Sequence, residues 1–166
     1  MRRIVTAAVF LGMFWVSAVA RPITQDNWYH HPRIEAIRTE YNAIEQQIKN
    51  HRYHERKKTI EDEYIGIGGE THLFTDGTEH VRKLTIFEGG GDSAVKYEYS
   101  YRADGSLLFS WYEYNHYSGM HYAVRSYFAP NGTLLFRKVD NRGGIKPARP
   151  LDIRNPRQAF RAYSID

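Results

Sequence analysis

Three glycine-containing turns, each lying between runs of alternating apolar and polar residues, constrain the fold of this chain more than any other feature. They are Asp76-Gly77, Asp104-Gly105 and Asn131-Gly132, spaced 28 and 27 residues apart. Asp-Gly and Asn-Gly pairs tolerate positive φ angles and are the strongest short-range signals for a β-hairpin. The residues around the three turns are similar, most closely around the last two. The sequence therefore predicts three related hairpins.

The segments between these turns alternate with a period of two, which is typical of strands with one buried face. One predicted strand carries its apolar residues on a single side: Val95, Tyr97, Tyr99 and Tyr101. Residues 89–92 and 115–119 supply the return turns between the hairpins. Together the hairpins predict an antiparallel meander of about six to seven strands, of which one face is buried.

A helix is predicted ahead of the strands, from Pro32 to about Asn50. Proline is well suited to the first turn of a helix, because its missing N–H is not needed there. The apolar residues recur at spacings of three and four and so share one side: Ile34, Ile37, Tyr41, Ile44 and Ile48. We expect this helix to pack on the meander, which makes the fold class α+β, with one N-terminal helix on the sheet.

The first twenty residues have the layout of a secretory signal peptide. Arg2 and Arg3 precede an apolar run that is too short to span a bilayer comfortably, and Ala18 and Ala20 form an A-x-A cleavage site. Cleavage would leave Arg21 at the mature N-terminus. We therefore expect a periplasmic or secreted protein with no membrane anchor.

The remaining chain divides into a helix-plus-meander domain, residues 21–142, and a basic, proline-containing tail, residues 143–166. The tail is polar and weakly periodic, which predicts an extended arm that is either loosely packed or ordered by a partner. The chain has no cysteine, and its formal charge of +4 falls by two when Arg2 and Arg3 are removed. This near-neutral charge argues against a nucleic-acid partner.

The Ile-rich helix, the Gly68-Gly69-Glu70 segment and the Tyr-rich strands around Asp-Gly and Asn-Gly turns resemble small exported bacterial proteins that are themselves uncharacterised. The resemblance covers roughly residues 34–140. It implies a fold and an extracytoplasmic compartment, and no catalytic residues. The hairpin copies also resemble, more weakly, β-repeat proteins of the MORN kind.

The aromatic strands are the strongest candidate for a binding site. Tyr112 and Tyr114 share the side of their strand opposite Phe109 and Trp111, so both sides carry aromatic residues. One side must form the core, and the other is either covered by the tail or available to a partner. The candidate recognition surface consists of Tyr97, Tyr99, Tyr101, Tyr112 and Tyr114.

Catalytic and cofactor sites have less support in the sequence. There is no nucleophile elbow, phosphate-binding loop or dinucleotide fingerprint. The eight histidines lack the spacing of a metal site. Glu98 and Glu113 form one candidate acid/base pair, although two charges on a solvated face explain them better. We therefore predict a protein without a catalytic residue, cofactor or metal.

Three functions remain open on these grounds. The favoured hypothesis is a non-enzymatic binding protein that engages another protein in the cell envelope, for example as an inhibitor or immunity protein. The alternative is a periplasmic carrier that holds a small apolar or lipid ligand between the helix and the sheet. The third hypothesis is a hydrolase that uses Glu98, Glu113 or the histidines.

Overall fold

The computed structural model describes residues 21–62, 67–144, 153 and 155–162. The predicted signal peptide, residues 1–20, lies outside the described residues, as does most of the predicted tail. Within the described part, no helix is long and apolar enough to cross a membrane.

Seven strands form one antiparallel sheet in which each strand pairs with the next along the chain, so the order is β1 to β7. Their bounds are β1 His54–Asp62, β2 Ile67–Thr75, β3 Val81–Gly90, β4 Ser93–Tyr101, β5 Leu107–His116, β6 His121–Phe128 and β7 Leu134–Arg142. The predicted meander of six to seven strands is confirmed, with its return turns after β3 and β5.

Four of the hairpin turns share one hydrogen-bond pattern. In the turn after β4, Arg102 N donates to Ser106 O over 2.9 Å and Gly105 N donates to Arg102 O over 3.0 Å. The same pattern recurs at residues 76–80, 116–120 and 129–133. The fourth residue of each turn has a positive φ, which suits the glycines of the later turns, such as Gly132 at +79°.

The first of these turns departs from the predicted alignment of the three copies. Its fourth residue is Glu79, with φ of +64°, whereas Gly77 lies two positions earlier. A non-glycine residue in this conformation costs roughly 1–2 kcal/mol. Asp76 offsets that cost, because its Oδ1 accepts hydrogen bonds from Thr78 N and His80 N, each over 3.0 Å. The hairpin is confirmed, but its glycine does not have the role of Gly105.

The predicted helix is confirmed as α1, Pro32–Lys49, with proline in its first turn. His31 caps its N-terminus, since Arg33 N donates to His31 Nδ1 over 3.3 Å. The isoleucine stripe faces the sheet, and Ile34 and Ile44 are fully buried. On the sheet they meet an aromatic row from three adjacent strands: Phe109, Tyr127 and Phe136.

The opposite sheet face is also partly covered by the tail, one of the two alternatives left open for it, although a helix there was not predicted. A second helix, α2 (Pro156–Ala162), contacts β2 and β3. Its Phe160, together with Ile153, packs on a buried cluster that includes Leu84 and Tyr99. The prediction of an extended arm is therefore wrong for this part of the tail. Its apolar residues are too few to show a helical period, but they find apolar partners on the sheet.

Candidate functional site

The five predicted recognition tyrosines lie on the sheet face that also carries α2. In the register of β4 and β5, Tyr97 is opposite Tyr112, and Val95 is opposite Tyr114. Tyr112 and Tyr114 are in turn opposite Val124 and Tyr122 of β6. We call the row formed by the five tyrosines and Tyr122 the aromatic band. Its members differ sharply in their exposure, so the band has a sealed end and an open end.

The sealed end lies beneath the C-terminal segment. Tyr99 and Tyr101 are 2% and 0% exposed, and both belong to the cluster that includes Ile153 and Phe160. The hydroxyl of Tyr101 donates a hydrogen bond to Ile153 O over 2.9 Å. These two tyrosines therefore hold the C-terminal segment, and a partner could reach them only by displacing it.

The middle of the band is a set of packed rings. The ring centroids of Tyr97 and Tyr112 are 5.1 Å apart, and those of Tyr112 and Tyr122 are 6.1 Å apart. Burial raises the pKa of both Tyr97 and Tyr112, the latter to about 12. Tyr112 is buried, whereas Tyr97 and Tyr122 are half-buried. The middle therefore contributes mainly to the core and presents only part of its surface.

The open end of the band reaches the turn between β5 and β6. Tyr114 stacks on His116, whose ring centroid lies 4.6 Å from that of Tyr117. Tyr117 is 79% exposed. Its backbone is nevertheless fixed, because Tyr117 N donates to Asp92 O in the neighbouring return turn over 2.8 Å. The turn is closed by a hydrogen bond from His116 N to Met120 O over 3.0 Å.

The α1 side of the sheet contains a buried ionic network centred on Glu98, which is 2% exposed. Tyr41 of α1 donates a hydrogen bond to Glu98 Oε1 over 2.7 Å. Lys83 Nζ lies 3.3 Å from Glu98 Oε1 and also contacts Glu45 of α1. Lys96 Nζ lies 3.4 Å from Glu98 Oε2. Burial, and then the charge of Glu98, raise the pKa of Tyr41. The network joins α1 to β3 and β4.

The carboxylates of the hydrolase hypothesis share this face without being paired. Glu98 is opposite Trp111, and Glu113 is opposite Lys96, so the two are offset by two residues. Both oxygens of Glu98 already have partners. Glu113 lies 3.8 Å from His121 at the far end of the face. This arrangement favours structural roles for both carboxylates.

The histidines are dispersed in the same way. Within the ranges that the structure describes, no three His, Asp or Glu side chains are grouped to hold a metal ion. His72, for example, is engaged by Glu55 and Glu70, on opposite nitrogens of its ring, over 2.5 and 3.1 Å. His116 belongs instead to the open end of the aromatic band.

Sequence reasoning missed Tyr117 and His116 as parts of the candidate surface. Both lie in a segment that was interpreted only as a return turn. The spacing of His116 from Tyr114 continues the period of two, and this was the available signal. Comparison of the chain with protein-family models, curated proteins and solved structures finds no match.

Proposed function

We propose that this chain is an exported, non-enzymatic binding protein that engages another protein through the open end of its aromatic band. The observation that carries the proposal is Tyr117, a 79% exposed aromatic side chain on a turn whose backbone is hydrogen-bonded to the neighbouring turn. Tyr114 and His116 support it from the adjacent strand by ring contacts.

An exposed tyrosine on a rigid backbone is well suited to protein recognition. Tyrosine offers a large contact area with few rotatable bonds, and it is enriched in the residues that dominate binding energy. Because the turn is already ordered, binding does not have to order it, and this lowers the entropic cost of association. An exposed aromatic side chain on an ordered turn does not form the closed site that most enzymes need.

The proposed compartment is the cell envelope. It is supported by the predicted signal peptide, residues 1–20. In that compartment a small rigid binding domain fits an inhibitor or immunity protein. The alternative, a carrier of a small apolar or lipid ligand between helix and sheet, has less support for a lipid. The isoleucine stripe of α1 packs directly on the sheet, and the cleft that remains beside Tyr41 has a volume of about 210 Å³.

Site-specific photocrosslinking in intact cells tests both parts of the proposal. A photoreactive phenylalanine analogue at position 117 of the full-length chain should give one dominant protein adduct. The adduct should fractionate with the envelope and contain a chain that begins at Arg21. Tyr117→Ala should weaken the purified complex about tenfold or more, as expected for the loss of an aromatic anchor.

Phe87 provides the matched control, since it is a 48% exposed aromatic residue whose register places it on the opposite sheet face. The analogue at position 87 should give no such adduct, and Phe87→Ala should leave the affinity within about twofold. Equal crosslinking from both positions would contradict recognition by the open end. A chain retained in the cytoplasm with its first twenty residues would contradict export.

A further inference from the structure

A cleft between α1 and the sheet, distinct from the aromatic band, combines aromatic walls with two positively charged side chains. Its volume is about 210 Å³. The walls and floor come from both layers: Ile37, Tyr41 and Asn42 of α1 with Phe109, Trp111 and Tyr127 of the sheet. Arg38 and Arg125 complete the lining. The cleft lies beside the Glu98 network, but its own charges are all cationic.

Arg125 is the less satisfied of the two cations. Its guanidinium carbon lies 5.2 Å from the centre of the Trp111 ring. Across the residues that the structure describes, Arg125 has neither a hydrogen bond nor a carboxylate within 4 Å. A guanidinium group carries five N–H donors in a planar fork that matches a carboxylate or phosphate. Arg125 therefore offers an unused anion-binding group beside an aromatic wall.

Arg38 reaches the cleft from α1 and keeps its charge uncompensated. Its Nη1 and Nη2 donate to the backbone oxygen and the hydroxyl of Tyr29, over 3.1 and 2.9 Å. The guanidinium carbon also lies 4.0 Å from the centre of the Tyr29 ring. These partners are neutral, and among the described residues no acidic group pairs with Arg38. Tyr29 thus positions the side chain without neutralising it.

Two observations on the cleft wall agree with an electropositive, partly dry site. Burial raises the pKa of Tyr127, while the charges of Arg125 and Arg38 oppose the rise, so both cations act on the same phenol. The indole Nε1 of Trp111 is buried, and no hydrogen-bond acceptor for it is present among the described residues. A buried donor without an acceptor costs about 1–3 kcal/mol. The cleft wall therefore has an unsatisfied hydrogen-bond donor in addition to the two unpaired positive charges.

We infer that this cleft binds a small organic anion, a carboxylate carried on an apolar or aromatic body. Arg125 and Arg38 receive the carboxylate, and the ring surfaces of Trp111 and Phe109 receive the apolar body. The volume is below the roughly 300–1,000 Å³ of sites for drug-sized ligands, which limits the body to about one ring. The ligand is either a free acid or the C-terminal carboxylate of a polypeptide ending in an aromatic residue. This site is independent of the proposed protein-binding surface.

Titration of the mature protein with 3-phenylpropionate and with its neutral amide tests the inference. The mature chain has two tryptophans, Trp28 and Trp111, so its two indole N–H signals can be followed by NMR and assigned with Trp28→Phe. We expect the acid to shift the Trp111 signal with a Kd below about 1 mM and the amide to bind at least tenfold more weakly. Equal binding of acid and amide, or no shift by about 10 mM acid, would overturn the inference.

A short peptide ending in phenylalanine, compared with the same peptide amidated, distinguishes the two sources of the carboxylate. Binding of the peptide acid as tightly as 3-phenylpropionate indicates a polypeptide C-terminus. Binding of 3-phenylpropionate alone indicates a free acid. Both results require the anion, and a peptide amide that binds as well as the peptide acid contradicts it.

Charge-matched variants locate the site. Arg125→Gln should weaken 3-phenylpropionate about tenfold, and Arg38→Gln should weaken it several-fold. Arg52→Gln removes the same charge from an exposed residue outside the cleft and should change the Kd less than twofold. If Arg52→Gln and Arg125→Gln weaken binding equally, affinity depends only on the net charge of the protein, and the proposed site is contradicted. Should Arg125→Gln fail to fold, Arg38→Gln and the acid–amide pair decide the question.

Discussion

The two faces of the sheet carry similar aromatic rows, yet they are completed in different ways. On one face, an 18-residue helix packs on Phe109, Tyr127 and Phe136 and is joined to the sheet by a buried ionic network. On the other face, the seven-residue α2 covers only one end of the aromatic band. The first face therefore combines apolar packing with buried charge, whereas on the second the buried cluster is apolar and the ion pairs of Arg56 and Arg157 with Glu79 are exposed.

The difference bears on how each helix is positioned. Apolar packing is non-directional, so it holds two layers together without strongly selecting one register. Hydrogen bonds and ion pairs have preferred distances and directions. Tyr41 and Glu45, one turn apart on α1, engage Glu98 and Lys83 of adjacent strands. These contacts select one placement of α1 from within the buried layer. The polar contacts of α2 lie at the surface instead, where the 42% exposed Arg157 donates to the backbone oxygen of Glu79.

The largest expected effect comes from breaking the network on the α1 side. Glu98→Ala leaves Lys83 buried with only Glu45 as a partner, and removing one member of a buried ion pair typically costs about 3–5 kcal/mol. We expect a loss near the lower end, about 3 kcal/mol, in the free energy of unfolding measured by urea denaturation. The hydroxyl of Tyr41 also loses its acceptor.

Glu113→Ala is the matched control, because Glu113 lies on the same face but is half-buried, and the His121 side chain with which it pairs is 3.8 Å away. It should cost no more than about 1 kcal/mol. Combining Glu98→Leu with Lys83→Met should recover most of the lost stability, since the two charges are then removed together. If Glu98→Ala costs no more than Glu113→Ala, the buried ionic network does not stabilise the α1 side, and the proposed difference between the two faces is contradicted.

A smaller effect is expected from the apolar seal on the opposite face. Phe160→Ala removes the main buried side chain of α2, and a buried Phe→Ala change commonly costs 3–5 kcal/mol. We expect about 2–3 kcal/mol here, because a seven-residue helix can shift or undock and so limit the cavity. Urea denaturation gives the size of the loss, and hydrogen exchange in β4 reports the exposure of Tyr101.

Leu134→Ala on β7 serves as its control, because Leu134 is 41% exposed. That change should stay within about 0.5 kcal/mol. If Phe160→Ala costs no more than Leu134→Ala, the C-terminal segment does not seal the aromatic band, and Tyr99 and Tyr101 become available to a partner as first predicted.

The sequence was sufficient for the features that depend on local pattern. The isoleucine spacing located α1, and the Gly105 and Gly132 turns located two hairpins, because period and turn chemistry are encoded within a few residues. The prediction that one face alone is buried did not anticipate α2. Phe160 is one of a few scattered apolar residues in a polar tail, and its partner Leu84 is 76 positions away in the chain.

The candidate sites were less predictable for the same reason. The five tyrosines share a face, as their alternation indicated, but which of them are buried depends on the distant C-terminal segment. The cleft requires Arg38 and Arg125, which come from α1 and β6 and have no common motif. Prediction from sequence is limited even within a single turn. The Asp76-Gly77 pair predicted the hairpin, but the positive φ belongs to Glu79 and not to the glycine.

The smallest expected effect is a difference in response to alkali between two tyrosines, Tyr112 on the α2 side of the sheet and Tyr127 on the α1 side. Burial, followed by the neighbouring Tyr97, Tyr114 and Tyr122, raises the pKa of Tyr112 from 10.0 to about 12. Because the folded state favours the neutral phenol, this contribution to stability is fully present below pH 10 and is lost as the pH rises to about 12. Tyr112→Phe cannot ionise, so the variant should lose about 1 kcal/mol less stability than the wild type between pH 9 and pH 11.

Tyr127 provides the comparison from the α1 side. Burial also raises its pKa, but Arg125 and Arg38 oppose that rise by favouring the phenolate. Tyr127→Phe should therefore change the alkaline loss of stability less than Tyr112→Phe does, as measured by urea denaturation of both variants at pH 9 and pH 11. In an Arg38→Gln, Arg125→Gln background the opposing charges are absent, and the effect of Tyr127→Phe should grow towards that of Tyr112→Phe. An unchanged effect in that background would mean that the two arginines do not act on Tyr127, and the electrostatic contrast between the faces would then be confined to the Glu98 network.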